Sequence, residues 1–205
     1  MIVIIDYGMG NLRSVHHKVM KAGIQAILSS RIEDIEAAEK LILPGVGSFG
    51  AGMERLHSYG LIPVLQEKVT VGKTPILGIC LGMQLFASWS EESHVKGLGW
   101  VDADVRRFNF PESAPYRIPH VGWNTLIRVK SSPLLDHIMS DQRFYFTHSY
   151  HLCCRFKDDV VATTRYGYEF ASVIRHDNIC GTQFHPEKSH RRGIEIIRNF
   201  VQYMS

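Results

Sequence analysis

Three almost wholly apolar runs, Ile2-Val3-Ile4-Ile5, Leu41-Ile42-Leu43 and Ile76-Leu77-Gly78-Ile79, fix the kind of fold this chain can adopt. A strand that is apolar at every position must be covered on both faces, as in a parallel sheet packed between helices. The segments between the runs supply those helices. Asp6-Tyr7-Gly8-Met9-Gly10-Asn11 turns the chain, Asn11 is placed to cap a helix running to Ala22, and Gly23 stops it. Gln25 to Leu28 reads as the second strand, and Ile32, Ile35 and Ala38 mark one face of a second helix. Met53 to Tyr59 and Leu61 to Val71 read as two more, with Pro63 in a first turn, where a missing N–H costs little. Alternation of this kind predicts an α/β fold whose ligands sit at the carboxyl ends of the strands.

Two chemically promising loops fall at those ends. Pro44-Gly45-Val46-Gly47-Ser48-Phe49-Gly50 satisfies G-x-G-x-x-G after a strand. A dinucleotide fingerprint belongs on the first strand, with an acid closing the second, and here the second closes on Leu28-Ser29-Ser30. The other reading is a glycine loop whose peptides turn N–H groups toward a reacting oxygen. The second loop is Gly78-Ile79-Cys80-Leu81-Gly82-Met83-Gln84, a strand, a sharp turn and a helix carrying Leu81, Met83, Leu85 and Phe86. A thiol on that elbow is held near a helix N-terminus, which favours the thiolate; alternatively Cys80 is a small core residue.

The last third of the chain tips the balance. In Gln183-Phe184-His185-Pro186-Glu187-Lys188-Ser189, proline holds His185 extended, and Glu187 can accept from one ring nitrogen, leaving the other to exchange a proton with sulfur. Singly, each residue has a plain structural explanation. Together with the Cys80 elbow they form a nucleophile, a base and an orienting acid. Between these segments the pattern shortens into alternating strands: Trp100 to Arg107, Thr125 to Val129, Arg143 to Thr147, Val160 to Arg165, Ala171 to Arg175 and Ile179 to Gln183. His176-Asp177-Asn178 makes a hairpin turn, and Ile194, Ile197, Phe200 and Val201 face the core from a closing helix. Lys188, Arg191 and Arg192 crowd the start of that helix, where cations oppose the dipole; either an acidic partner answers them or they extend into water.

Composition narrows the function classes. With 45% hydrophobic residues among 205, the chain can build one covered core, and residues 1–205 read as a single domain. A net charge of +3 without basic tracts argues against nucleic acid. The apolar run after Met1 breaks at Asp6, too early for a leader or a membrane span, and the four cysteines show no metal-ligand spacing, so a reducing cytoplasm is expected. Adjacent Cys153 and Cys154 read as strand residues facing opposite ways.

The sequence resembles the class I, triad-type glutamine amidotransferases over essentially its whole length, most closely the glutaminase subunits of imidazole glycerol phosphate synthases. The cysteine elbow and His185-Pro186-Glu187 carry the class. Ile5 to Leu12, Pro119-His120-Val121-Gly122-Trp123-Asn124 and Thr147-His148-Ser149-Tyr150 narrow it to the subunit. The resemblance implies a flavodoxin-like fold, with a central mixed, mostly parallel sheet and helices on both faces. It implies Cys80, His185 and Glu187 as the triad, with an oxyanion held by Leu81 and by a peptide near Val46 or Gly47. Gly47, Gln84 and Glu92 would hold glutamine, and the backbone of Thr147, His148 and Ser149 would receive its α-carboxylate. No cofactor or metal is implied. The implied partner is a separate (β/α)8 cyclase subunit in a heterodimer, with Trp123 and Lys188 at the interface; a core place for Trp123 is the alternative. The family commonly continues Lys-Ser-Gln where this chain has Lys188-Ser189-His190, which leaves open a paralogue feeding ammonia to a surface-polysaccharide sugar amidotransferase.

Overall fold

In the computed structural model, which describes residues 1–203, strand β1 (Ile2–Ile5) lies between β2 (Ala26–Ser29) and β3 (Lys40–Gly45), and β4 (Ile76–Cys80) continues beyond β3. All four are parallel. Side chains alternate across the sheet: Val3 and Ile5 join one core, Ile2 and Ile4 the other. Helix α1 (Leu12–Lys21) covers the second face with Val15 and Val19, while α2 (Ile32–Glu36), α3 (Phe49–Ser58) and α4 (Leu61–Gln66) cover the first. The alternation expected of the first half is therefore present.

Several boundaries moved. Asn11 precedes α1 but makes no side-chain cap bond. In α2 only Ile35 and the following Ala38 reach the core; Ile32, at the exposed start of a five-residue helix, is 42% exposed. Helix α3 begins at Phe49, earlier than the expected Met53, because Ser48 Oγ accepts from Ala51 N–H (3.4 Å) and Glu92 Oε2 from Phe49 N–H (2.6 Å). α4 passes into a π-helical turn over Glu67–Val71. Helix α5 (Leu81–Gln84) stops after one turn, short of Leu85 and Phe86, whose carbonyls instead accept from the N–H groups of Leu98 and Trp100, each at 2.9 Å.

The second half contributes β5 (Trp89–Ser90), β6 (Val95–Lys96), β7 (Ala103–Arg107), β8 (His120–Thr125), β9 (Ile127–Arg128), β10 (Arg143–His148) and β11 (Tyr150–Cys154). It continues with β12 (Val160–Tyr166), β13 (Tyr168–His176), β14 (Ile179–Thr182) and the closing helix α6 (His190–Tyr203). The main sheet has eight strands in the order β2-β1-β3-β4-β14-β13-β12-β9. β14 runs parallel to β4, and the last three strands are antiparallel extensions, so the sheet is mixed as expected. The remaining strands form a two-stranded sheet, β10-β8, and a four-stranded one, β11-β7-β5-β6. Trp100 is no strand residue: its ring stacks on Phe86 and its indole N–H donates to Gln66 Oε1 at 2.7 Å. Cys153 is exposed and Cys154 half-buried, as alternate strand positions. Ile197 and Phe200 of α6 are fully buried and Ile194 and Val201 partly so. Among the described residues no helix is long and apolar enough to cross a membrane.

Candidate active site

Because β14 pairs with β4, with Thr182 opposite Ile79, the residues just past each strand meet at one rim of the sheet. Cys80 occupies the bend from β4 into α5 with φ 54° and ψ −107°, a conformation that costs a non-glycine residue roughly 1–3 kcal/mol. The bend is held because α5 lies directly on the backbone of β3. A Cβ on Gly82 would stand 1.8 Å from the Leu43 carbonyl oxygen, so only glycine fits there.

His185 leaves β14 at the same rim. Its N–H donates to the Tyr145 carbonyl at 2.9 Å, and its own carbonyl accepts from Ser189 Oγ at 2.7 Å, so the backbone on both sides of the ring is tied down. Nδ1 lies 2.7 Å from Glu187 Oε1, with both side chains buried. A carboxylate can only accept, so the proton sits on Nδ1. Nε2 is buried with no settled hydrogen bond of its own, free for the sulfur. Burial alone would lower the histidine pKa, but the neighbouring Cys80 sulfur, then the hydrogen bond and charge of Glu187, outweigh it and raise the value to about 10. The placement between sulfur and carboxylate thus favours the protonated ring.

These groups open into a cavity of about 560 Å³, lined by Cys80 and His185 and also by Val46, Gly47 and Leu81. Leu81 is the first residue of α5, so its N–H needs no intrahelical carbonyl. Gly47, at φ 105°, bends the opposite lip. Gln84 and Glu92 line the cavity too, but part of each is already engaged. Gln84 Nε2 donates to the Tyr150 carbonyl (2.8 Å) and to Gln183 Oε1 (3.0 Å), leaving its oxygen for a ligand. Gln183 Nε2 in turn lies 3.6 Å from Cys80 Sγ. Glu92 holds the start of α3 through Phe49 N–H, and Gly50 N–H donates to Ser93 Oγ at 3.1 Å. With a carboxylate and a serine hydroxyl on the donors that a phosphate would need, the dinucleotide reading of the glycine loop fails.

The far wall is the chain from Thr147 to Tyr150, which passes from β10 to β11 through Ser149. His148 Nδ1 donates to the Tyr150 carbonyl at 2.8 Å, and Nε2 accepts from His120 Nδ1 at 3.1 Å. Burial keeps both imidazoles neutral, lowering the His148 pKa well below its usual value and that of His120 to about 4. Asn11, Pro119 and Tyr150 also line the cavity; the sequence offered Asn11 only as a helix cap and carried Pro119 and Tyr150 within quoted motifs without a role for either.

Residues 3–204 match the Glutamine amidotransferase class-I family. The chain belongs to the class I glutamine amidotransferases. This amidotransferase is 48% identical over 202 residues to imidazole glycerol phosphate synthase subunit HisH 2 of Methanococcus maripaludis, with 98% of this chain and 99% of that one covered. The Pseudomonas aeruginosa subunit HisH 2 is 45% identical over the same coverage. A crystal structure of a glutamine amidotransferase superposes with TM-score 0.73 at 20% identity, covering 96% of this chain and 99% of the other, which establishes the shared fold.

Outside the cavity the amidotransferase presents Trp123, which is 42% exposed and therefore no core residue. Its ring lies flat on His190, with centroids 4.9 Å apart and planes 6° from parallel. Lys188 borders the cavity mouth with Nζ 5.4 Å above the Tyr145 ring. It precedes α6 in a 3-10 turn, Pro186–Lys188, whereas Arg191 and Arg192 stand exposed in the helix's first turn.

Proposed function

We propose that the chain is the glutaminase subunit of an imidazole glycerol phosphate synthase, acting in the cytoplasm as a single domain over residues 1–205. Cys80 Sγ attacks the side-chain amide carbon of glutamine. The oxyanion is held by Leu81 N–H and by a peptide of Val46 or Gly47. The His185 cation gives its proton to the departing ammonia, and the neutral ring then takes one from water, which attacks the thioester and releases glutamate. The Thr147, His148 and Ser149 backbone receives the α-carboxylate, while Gly47, the free oxygen of Gln84 and the second carboxylate oxygen of Glu92 hold the rest. Ammonia passes to a (β/α)8 cyclase docked over Trp123 and Lys188. There it combines with a phosphorylated ribulosyl aminoimidazole carboxamide nucleotide, giving imidazole glycerol phosphate for histidine synthesis and aminoimidazole carboxamide ribonucleotide.

Support comes above all from the buried His185 ring, 2.7 Å from Glu187 and coupled by charge to Cys80 at the cavity floor. The test is ammonia release from glutamine by wild type and Cys80→Ala, each alone and with the cyclase. Wild type is expected to gain activity when the ligand-bound cyclase completes the Gly45-Val46-Gly47 lip, and Cys80→Ala to pair normally without hydrolysis. Equal wild-type rates with and without cyclase remove the gating; ammonia from Cys80→Ala removes the mechanism.

A second reading is favoured by His190. It departs from the usual Lys-Ser-Gln and stacks on the exposed Trp123, changing the partner-facing surface. On this reading the acceptor is a surface-polysaccharide sugar amidotransferase, and a deletion strain grows without histidine; auxotrophy rules it out.

A further inference from the structure

Gln183 has no part in the hydrolysis as set out above, yet its fully buried side chain reaches the nucleophile. Its neighbours settle which end of the amide faces the sulfur. The Tyr150 carbonyl can only accept, and it takes hydrogen bonds from His148 Nδ1 and Gln84 Nε2, both at 2.8 Å. The NH2 group of Gln84 therefore lies on that side, and its second hydrogen points at Gln183 Oε1, 3.0 Å away. With its oxygen so fixed, Gln183 directs Nε2 at Cys80 Sγ, 3.6 Å away. A reversed amide would set two NH2 groups against each other and a carbonyl oxygen against the sulfur, losing both bonds. The other nearby backbone group is the Thr147 carbonyl at 4.0 Å, an acceptor that favours a protonated sulfur.

We propose that Gln183 is a further catalytic residue of this enzyme, an N–H donor to Cys80 Sγ that holds the sulfur as a thiolate. The assignment rests on the glutaminase function proposed above, which supplies the reaction. A donor to an anion favours the anion, and the bond strengthens with the charge on its acceptor. It therefore acts twice: on the attacking thiolate, and on the thiolate that leaves when water cleaves the thioester. No proton is transferred; the amide keeps both hydrogens, and His185 remains the acid and base. Gln84 and His148 act through Gln183 and Tyr150 as positioning residues.

The test is the rate of Cys80 carbamidomethylation by iodoacetamide in the full-length protein at neutral pH, read by peptide mass so that Cys153, Cys154 and Cys180 are counted apart. Gln183→Met removes the donor and is expected to slow Cys80 alkylation about tenfold, with kcat for glutamine falling by a similar factor and KM unchanged. Should that variant fail to fold, Gln183→Asn, whose amide is one methylene too short, is expected to slow alkylation likewise. Alkylation at the wild-type rate in whichever folded variant is read overturns the assignment. Because alkylation needs no glutamine, a slow Gln183 variant in a protein that never hydrolyses glutamine refutes the proposed function while upholding the contact.

Discussion

Glu187→Gln isolates the charge of the proposed orienting acid from its shape. The carboxylate is 1% exposed, and it uses Oε1 on His185 Nδ1 at 2.7 Å, whereas Oε2 has no partner. Glutamine can therefore keep the accepting oxygen in place and set its NH2 where Oε2 was. What disappears is the negative charge beside the imidazolium. Exchanging a charge-assisted hydrogen bond for a neutral one removes about 1.5 kcal/mol. The full Coulomb attraction of charges about 4 Å apart, about 4 kcal/mol at an effective dielectric of 20, sets the ceiling. At roughly 1.4 kcal/mol per decade, kcat for glutamine is expected to fall between about tenfold and about a thousandfold. KM should stay within about twofold, because Glu187 does not line the cavity. Steady-state ammonia release from the complex with the proposed cyclase gives both constants, and circular dichroism establishes that the variant is folded. A folded variant with kcat within twofold of wild type would refute the view that this carboxylate holds His185 as a cation.

Two further outcomes follow from the same geometry. Gly82→Ala drives a methyl to 1.8 Å from the Leu43 oxygen, so α5 must lift from β3; urea denaturation should show a loss of about 3 kcal/mol or more, and a loss below 1 would mean the contact is slack. The His185 pKa, about 10 in the fold against the ordinary 6.5, means that the folded state binds the extra proton. This contribution to stability is complete below about pH 6.5 and is lost as pH rises through about 10. Urea midpoints should decline across that window, less steeply in Cys80→Ala, and identical slopes would refute the coupling to sulfur.

Continuous apolar runs made the parallel half of the sheet legible, because a strand covered on both faces leaves no polar alternation to misread. The proposed catalytic trio was legible for a different reason: each member lies within two residues of a glycine or proline that constrains its backbone. Where sequence failed, tertiary bonds overrode local pattern. Leu85 and Phe86 continue a helical stripe, but their carbonyls are claimed by Leu98 and Trp100, and the helix ends. Glu92, read only as a ligand for glutamine, also caps α3 from 43 residues away, which no local pattern could announce. Gln183 was quoted within its motif without a role, since its direction depends on an amide and a carbonyl from two other segments.

The bend at Cys80 has a consequence for how such a chain evolves. A glycine there would relax the backbone at once, so the sequences most resistant to unfolding are ones that have discarded the proposed nucleophile. Selection for robustness alone would drift toward an inert relative with the same outline. On the proposed function, retaining sulfur at that corner requires continuous purifying pressure from the ammonia it would deliver.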